Sequence, residues 1–305
     1  MKRALFAVSV LLGLSCTAAC KPNLGSSASL VTEERVLAVR AARPELQPGA
    51  ATELSALVAS PSGTIERALG WSFCTAPKPL DENNSVADAC LGASALLPIA
   101  DQPGAVSATV PLDACQRFGP DPPPQQPGQP PLRPRDPDVS GGFYQPIRVE
   151  RDGELTFASL RIVCNLPSAS PEVAQAFRAQ YVANQNPTIA AVSATLDGQP
   201  VALDHLPHDR DVVLRVDFAP DAAEDYLAFS LETHQLEKRR ESLRVSWFGE
   251  SGAFALDRSG RDEADDEPFV ENTWHTPSPG PHTLWLVLRD ARGGLDFRSV
   301  AVVVE

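Results

Sequence analysis

Val212-Val-Leu-Arg-Val-Asp-Phe218 places Val212, Leu214, Val216 and Phe218 at every second position, with Arg215 and Asp217 between them. Successive side chains point to opposite faces of a strand, so this spacing describes a strand with one face buried and one in water. Thr52 to Ala59 repeats the pattern with Leu54, Ala56 and Val58, and the turn signal Pro48-Gly49 stands just before it. Further strands are read at Arg35 to Ala41, Leu69 to Cys74 and Glu154 to Cys164. Short apolar segments broken by Pro, Gly and Asp turns are the pattern of an all-β sandwich.

The chain has 305 residues, a length that predicts two domains, each able to bury its own core. The second half repeats the plan of the first. Asp197-Gly198 marks a turn, Val212 to Phe218 answers Thr52 to Ala59, and Leu243 to Phe248 answers Leu69 to Cys74. Each of the latter two carries a tryptophan, Trp71 and Trp247. Thr283 to Arg289 and Phe297 to Val304 read as a closing hairpin across Asp290 to Leu295. Between the halves, Ser170-Pro171-Glu172 supplies an N-cap, a proline at the first helical position and an acid in the first turn. Val173, Phe177 and Tyr181 follow at four-residue spacing, which predicts a helix from about Pro171 to Ala183 that joins the domains.

The strand tryptophans, the Pro-Gly turn and the terminal hairpin together resemble bacterial immunoglobulin-like and PKD-like surface domains. Ser246-Trp-Phe-Gly-Glu-Ser-Gly252 is similar to the Trp-x-Phe-Gly-Asp-Gly turn of PKD domains, with departures in spacing and in the acid. The resemblance implies two immunoglobulin-like β-sandwich domains and a surface role, and it carries over no catalytic residue. The expected organisation is a first domain at 31–166, a helical linker at 167–186 and a second domain at 187–305. Residues 119–137, where 9 of 19 are proline, form a solvated insertion in the first domain, because proline removes donors and fixes φ.

The N-terminus reads as an export signal. Lys2 and Arg3 precede a largely apolar run, Ala4 to Leu14, that is too short to span a bilayer. Thr17-Ala-Ala-Cys20 resembles the lipobox of bacterial lipoproteins, which implies a signal peptide at 1–19 and a lipid on Cys20; Thr17 stands where the family usually has Leu. Cys16 is a competing site, but cutting there would leave an odd thiol in an oxidising compartment. In that family an Asp after the cysteine retains the protein in the inner membrane, and Lys21 here implies the outer membrane. Residues 20–30 read as a flexible tether.

Cleavage at that point removes Lys2 and Arg3 and no acid, taking the net charge from −13 to −15. Such acidity repels phosphate backbones and excludes nucleic acid as a partner. Four cysteines remain for pairing, Cys74, Cys90, Cys115 and Cys164, with three connectivities. Cys74 with Cys90 and Cys115 with Cys164 ranks first, since the former pair closes a short polar loop. Cys74 with Cys164, an inter-sheet bridge, is the rival.

Sites for chemistry are few. Asp257, Asp262, Asp265 and Asp266 lie in an acidic stretch that is a weak calcium candidate, though Arg258 and Arg261 intrude and the spacing fits no EF-hand. His205-x-x-His208 has no evident third ligand and reads as solvated loop. No Gly-x-Ser-x-Gly, His-Glu-x-x-His, P-loop or Gly-x-Gly-x-x-Gly occurs, and the chain reads as no enzyme, with no cofactor and no metal. The expected function is a lipid-anchored structural or protein-interaction module of the cell envelope. The alternative is a polysaccharide-binding accessory lipoprotein, with Trp274 or Tyr144 stacking on sugars.

Overall fold

The computed structural model describes residues 28–305 apart from 121, 123, 125, 126, 129 and 130. The signal, Cys16, Cys20 and most of the expected tether lie outside the described residues. The first half comprises β1 (Arg35–Ala41), β2 (Glu45–Leu46), β3 (Ala51–Ser60), β4 (Gly63–Ile65), β5 (Ala68–Cys74), β6 (Leu96–Pro103), β7 (Val106–Thr109), β8 (Phe143–Arg151) and β9 (Glu154–Ile162), with α1 (Asp88–Leu91) and α2 (Ala114–Phe118) between strands. Then come α3 (Pro171–Gln180), β10 (Ile189–Leu196), β11 (Gln199–Val201), β12 (Asp211–Phe218), β13 (Asp225–Phe229), β14 (Leu236–Arg240) and β15 (Leu243–Gly249). The chain ends with β16 (Ala253–Phe254), β17 (Arg258–Arg261), β18 (Phe269–His275), β19 (Gly280–Asp290) and β20 (Leu295–Val304).

The fold is all-β and immunoglobulin-like, and the strand order shows the repeat. In the first half β3 pairs with β1 and β7, facing a sheet ordered β9-β8-β5-β6. In the second half β12 pairs with β10 and β18, facing a sheet ordered β20-β19-β15-β17. Seven strands, taken in chain order, occupy the same places in both sandwiches. The alternation read from the sequence does the work expected of it: Leu54 and Val58 enter the first core with Trp71, while Val212, Leu214 and Val216 enter the second with Trp247.

The two sandwiches are not separate beads. The outer face of the β1–β3 sheet, with Leu37, Ala38, Leu57 and Ala59, packs on the outer face of the β15–β19–β20 sheet, with Trp285, Val287 and Leu295. The result is four stacked sheets with three apolar layers between them. Strand β19 is therefore buried on both sides: Leu284, Leu286 and Leu288 point into the second sandwich, and Trp285 and Val287 into the layer between sandwiches. A strand covered on both faces needs a continuous apolar run, and Leu284-Trp-Leu-Val-Leu288 is one.

Two expectations are corrected. Ser29 and Leu30, placed in the expected tether at 20–30, are docked: Gly249 N–H donates to Ser29 O at 2.9 Å, Val31 N–H donates to Gly249 O at 2.8 Å, and Val31 is fully buried. These residues bury apolar surface and satisfy backbone groups, so they belong to the stack. The helix ends at Gln180 rather than Ala183, since Tyr181 is extended (φ −70°, ψ 131°) and its hydroxyl is held by tertiary contacts. Ser170 does cap it, accepting from Val173 N–H at 3.3 Å. Among the described residues no helix is long and apolar enough to cross a membrane.

Candidate functional site

At one end of the stack a buried ionic cluster joins both sandwiches to the segment after α3. Parallel pairing of β2 with β9 sets Glu45 beside Arg161, whose Nε donates to Glu45 Oε1 at 3.2 Å. The Arg161 Nη1 also donates to Ser140 Oγ at 2.5 Å and to Tyr144 OH at 3.2 Å. Tyr181, whose ring stacks on Phe177 at 4.5 Å, donates its hydroxyl to the Glu45 carboxylate at 2.7 Å. Asn184 N–H donates to Glu45 Oε2 at 2.8 Å. Asn186 then ties the sandwiches directly, donating to Ala41 O at 2.8 Å and accepting from Leu295 N–H at 2.8 Å.

Arg292 comes from the β19–β20 turn, which Asp290 shapes by accepting from Arg292 N–H and Gly294 N–H, both at 2.8 Å. The Arg292 guanidinium is fully buried and donates to Glu241 Oε1 at 2.6 Å, to Glu224 Oε2 at 2.9 Å and to Val182 O at 3.1 Å. It also lies over the Tyr226 ring, 4.7 Å from its centre. Two arginines thus face four carboxylates, Glu45, Glu224, Glu241 and Asp290. Burial pushes Glu241 up to about 7, with the Asp290 charge adding to the shift and Arg292 opposing it. Burial also raises Asp290, against the N–H groups of Gly294 and Arg292. Burial alone would weaken the Arg292 charge, but Glu241 reverses this and holds the guanidinium above its ordinary value. Tyr181 is pushed up to about 12 by burial, so it stays a donor at neutral pH.

Beside this cluster, α3 stands over an open groove of about 630 Å³, lined by Phe177, Arg178, Tyr181, Leu166 and the Cys115 and Cys164 pair. The helix is amphipathic, yet none of its residues is fully buried, because its apolar face looks into the groove. The structure pairs Cys74 with Cys90 and Cys115 with Cys164, with Cα separations of 5.5 and 5.6 Å. The first disulfide is sealed in a small apolar cluster with Val86 and Ala87, while the second forms part of the groove wall.

The other sequence-derived residues lie apart from this end. Trp274 is fully buried in the second core against Phe254, so it has no face to offer a sugar. Tyr144 is half-buried and its hydroxyl is committed to Asp138 Oδ2 at 2.7 Å. The acidic stretch is dispersed: Asp257 accepts from Ser29 Oγ, Asp265 accepts from Asp262 N–H, and Asp266 pairs with Arg240. Asp262 stands 4.0 Å from Arg244. Among the described residues no group of three or more His, Cys, Asp or Glu is arranged to hold a metal ion. His205 and His208 both turn to Glu305, at its carboxylate and its carbonyl, at 2.8 and 3.0 Å. Ser251 in the β15–β16 turn meets His282 Nδ1 at 2.8 Å, while His282 Nε2 donates to Ser278 O at 3.0 Å.

Neither a protein-family model nor a curated protein matches the sequence. Among solved structures the chain is similar to the D00-D0 domain of intimin, at 10% identity over 88% of this chain and 100% of that one, with a TM-score of 0.25. Fibronectin(III)-like modules of CbhA from Clostridium thermocellum match at 11% identity over 89% and 94% of the two chains, with a TM-score of 0.24. A superoxide reductase (neelaredoxin) from Ignicoccus hospitalis matches at 17% identity over 45% of this chain and 90% of its own, also at 0.24. Scores this low carry no argument about the site, and the fold rests on the chain's own strand order.

Sequence reasoning did not find the ionic cluster. Glu45, Glu241 and Arg292 lie far apart in the chain, and only the pairing of strands brings them together.

Proposed function

We propose that the chain is a lipid-anchored cell-envelope protein that displays a stiff interaction module, with the α3 groove end presented outward. The observation that carries this reading is that the described chain begins at one end of the stack while the groove lies at the other. Ser29 and Val31 dock at Gly249, the last residue of β15, whereas Glu241 and the ionic cluster flank the start of that strand. Strand β15 separates the two ends by about 20 Å, at roughly 3.3 Å per residue. A lipid on Cys20 would leave eight steps to Ala28, a reach of at most about 29 Å when fully extended. A short tether and a stack locked by a buried layer favour presentation of one fixed face at a set height above the membrane. The partner is another envelope protein. The polysaccharide alternative loses its leading residue with Trp274 in the core.

The experiment is photo-crosslinking in intact cells, from Val182 or Val139 at the groove end and from Ala253 at the tether end. A discrete adduct from the groove end alone is expected. Equal capture from both ends, or radiolabelled palmitate incorporation that survives Cys20→Ala, would overturn the reading.

A further inference from the structure

The two disulfides sit in opposite environments. Cys74 and Cys90 are both fully buried, enclosed with Val86, Ala87 and Phe157. Cys115 and Cys164 are half-buried and line the open groove together with Arg178. We propose that Cys115–Cys164 is a thiol–disulfide exchange site for a dithiol protein of the thioredoxin type, which reaches it through the groove under α3. The idea rests on this geometry and does not depend on the display reading.

The exchange balances as follows. A thiolate of the dithiol protein attacks one sulfur of the pair; a new S–S bond forms, the Cys115–Cys164 bond breaks, and the other sulfur leaves as a thiolate. The partner's second thiol loses its proton and attacks the mixed disulfide. The partner ends oxidised by two electrons, and Cys115 and Cys164 end reduced by two electrons and protonated. A cation in the groove favours the leaving thiolate, and Arg178 supplies one.

Reduction would act on the joint. Cys164 lies two residues past the end of β9, Val163 N–H donates to Leu46 O at 2.9 Å, and Arg161, three residues before Cys164, holds Glu45. The bridge also spans a sequence separation of 49 that contains the proline-rich insertion. Opening it frees the anchor of α2 and the floor of the groove, and so loosens the face that α3 roofs.

The test uses the folded full chain. Limiting dithiothreitol is followed by N-ethylmaleimide trapping and peptide mass mapping. Cys115 and Cys164 should become alkylated at least tenfold faster than Cys74 and Cys90. Equal rates, the reverse order, or survival of both pairs until urea is added would overturn the proposal. In a second arm, thioredoxin lacking its resolving cysteine is incubated with the chain. A mixed disulfide at Cys115 or Cys164 is expected; no adduct, or one at Cys74 or Cys90, would also overturn it.

Discussion

Arg292 Nε donates to Glu241 Oε1 at 2.6 Å, and neither side chain has any exposure to solvent. The pair joins the β19–β20 turn to the strand-leading segment before β15, and through Glu224 and Tyr181 it reaches the rest of the joint. Removing one member of such a pair leaves an uncompensated buried charge, which costs about 3–5 kcal/mol. Arg292→Met should therefore lower the unfolding free energy, measured by urea denaturation at pH 8, by an amount in that range. Glu241→Gln, which keeps an acceptor for Arg292, should cost distinctly less. Equal losses from the two variants would mean that Arg292 requires the ionised carboxylate of Glu241 and not merely an acceptor in its place.

The pH dependence follows from the same residue. Glu241 is raised to about 7 from an ordinary value of 4.5. Between those values the folded chain holds a proton that the unfolded chain has released, so stability falls as pH rises. The contribution is fully present below about 4.5 and lost above about 7, a span of about 3 kcal/mol. His205 and His275 are raised by Glu305 and by Asp211, and shift stability in the same direction from exposed positions. Glu241→Gln separates the terms. Unfolding free energy measured from pH 4.5 to 8 should fall less steeply with pH in that variant, the remaining slope coming from Asp290, also raised by burial, and from the two histidines.

The strands were legible where one face is buried and one is wet, as at Leu54-x-Ala56-x-Val58 and at Val212 to Phe218. The β8–β9 hairpin escaped notice although Asp152-Gly153, with φ of 49° and 87°, is the same turn chemistry as Asp197-Gly198, with 51° and 78°. Pro146 and the charged residues around it obscured the alternation of β8. The stacking of the sandwiches was also written in the chain: an unbroken Leu284-Trp-Leu-Val-Leu288 states that both faces are covered, where a hairpin open to water needs alternation. Trp274 could have been assigned to the core, since Val270, Asn272 and Trp274 alternate with Glu271, Thr273 and His275. The ionic joint had no local signal. Glu45 meets Arg161 through a two-residue parallel strand, and Arg292 meets Glu241 across 51 positions, so neither pairing follows from any periodicity. The helix outran its true end in the sequence because helical propensity continues past Gln180, whereas Tyr181 is drawn away by Glu45.

Gly252 is required by its surroundings. Its φ is +75°, and a Cβ there would lie 2.4 Å from Trp274 Nε1 and 2.7 Å from His275 O. Both the left-handed backbone and the clash penalise any side chain. Gly252→Ala should destabilise the chain by at least about 2 kcal/mol, from strain and overpacking together. Gly198→Ala, at φ +78° with nothing within 4 Å of a Cβ, should cost less. Urea denaturation followed by tryptophan fluorescence compares the two, and a larger loss at Gly198 would contradict the steric argument.

Trp285 tests whether the sandwiches fold as one body. It is fully buried in the layer between them, packs with Leu57 and Ala59 of the first sandwich, and donates from Nε1 to Thr64 Oγ1 at 2.8 Å. Its neighbours on β19 face the other way, so truncation leaves the second core intact and removes only the shared layer. A large-to-small change at such a site costs about 3–5 kcal/mol, the lost transfer energy plus the cavity left behind. That loss falls on coupling between the sandwiches rather than on either one. Calorimetry of the native chain should give a single transition whose van't Hoff and calorimetric enthalpies agree. Trp285→Ala should split it in two, with the ionic joint still tying the sandwiches at one end. A single transition that merely moves to lower temperature would show that the joint suffices to couple the sandwiches without the apolar layer.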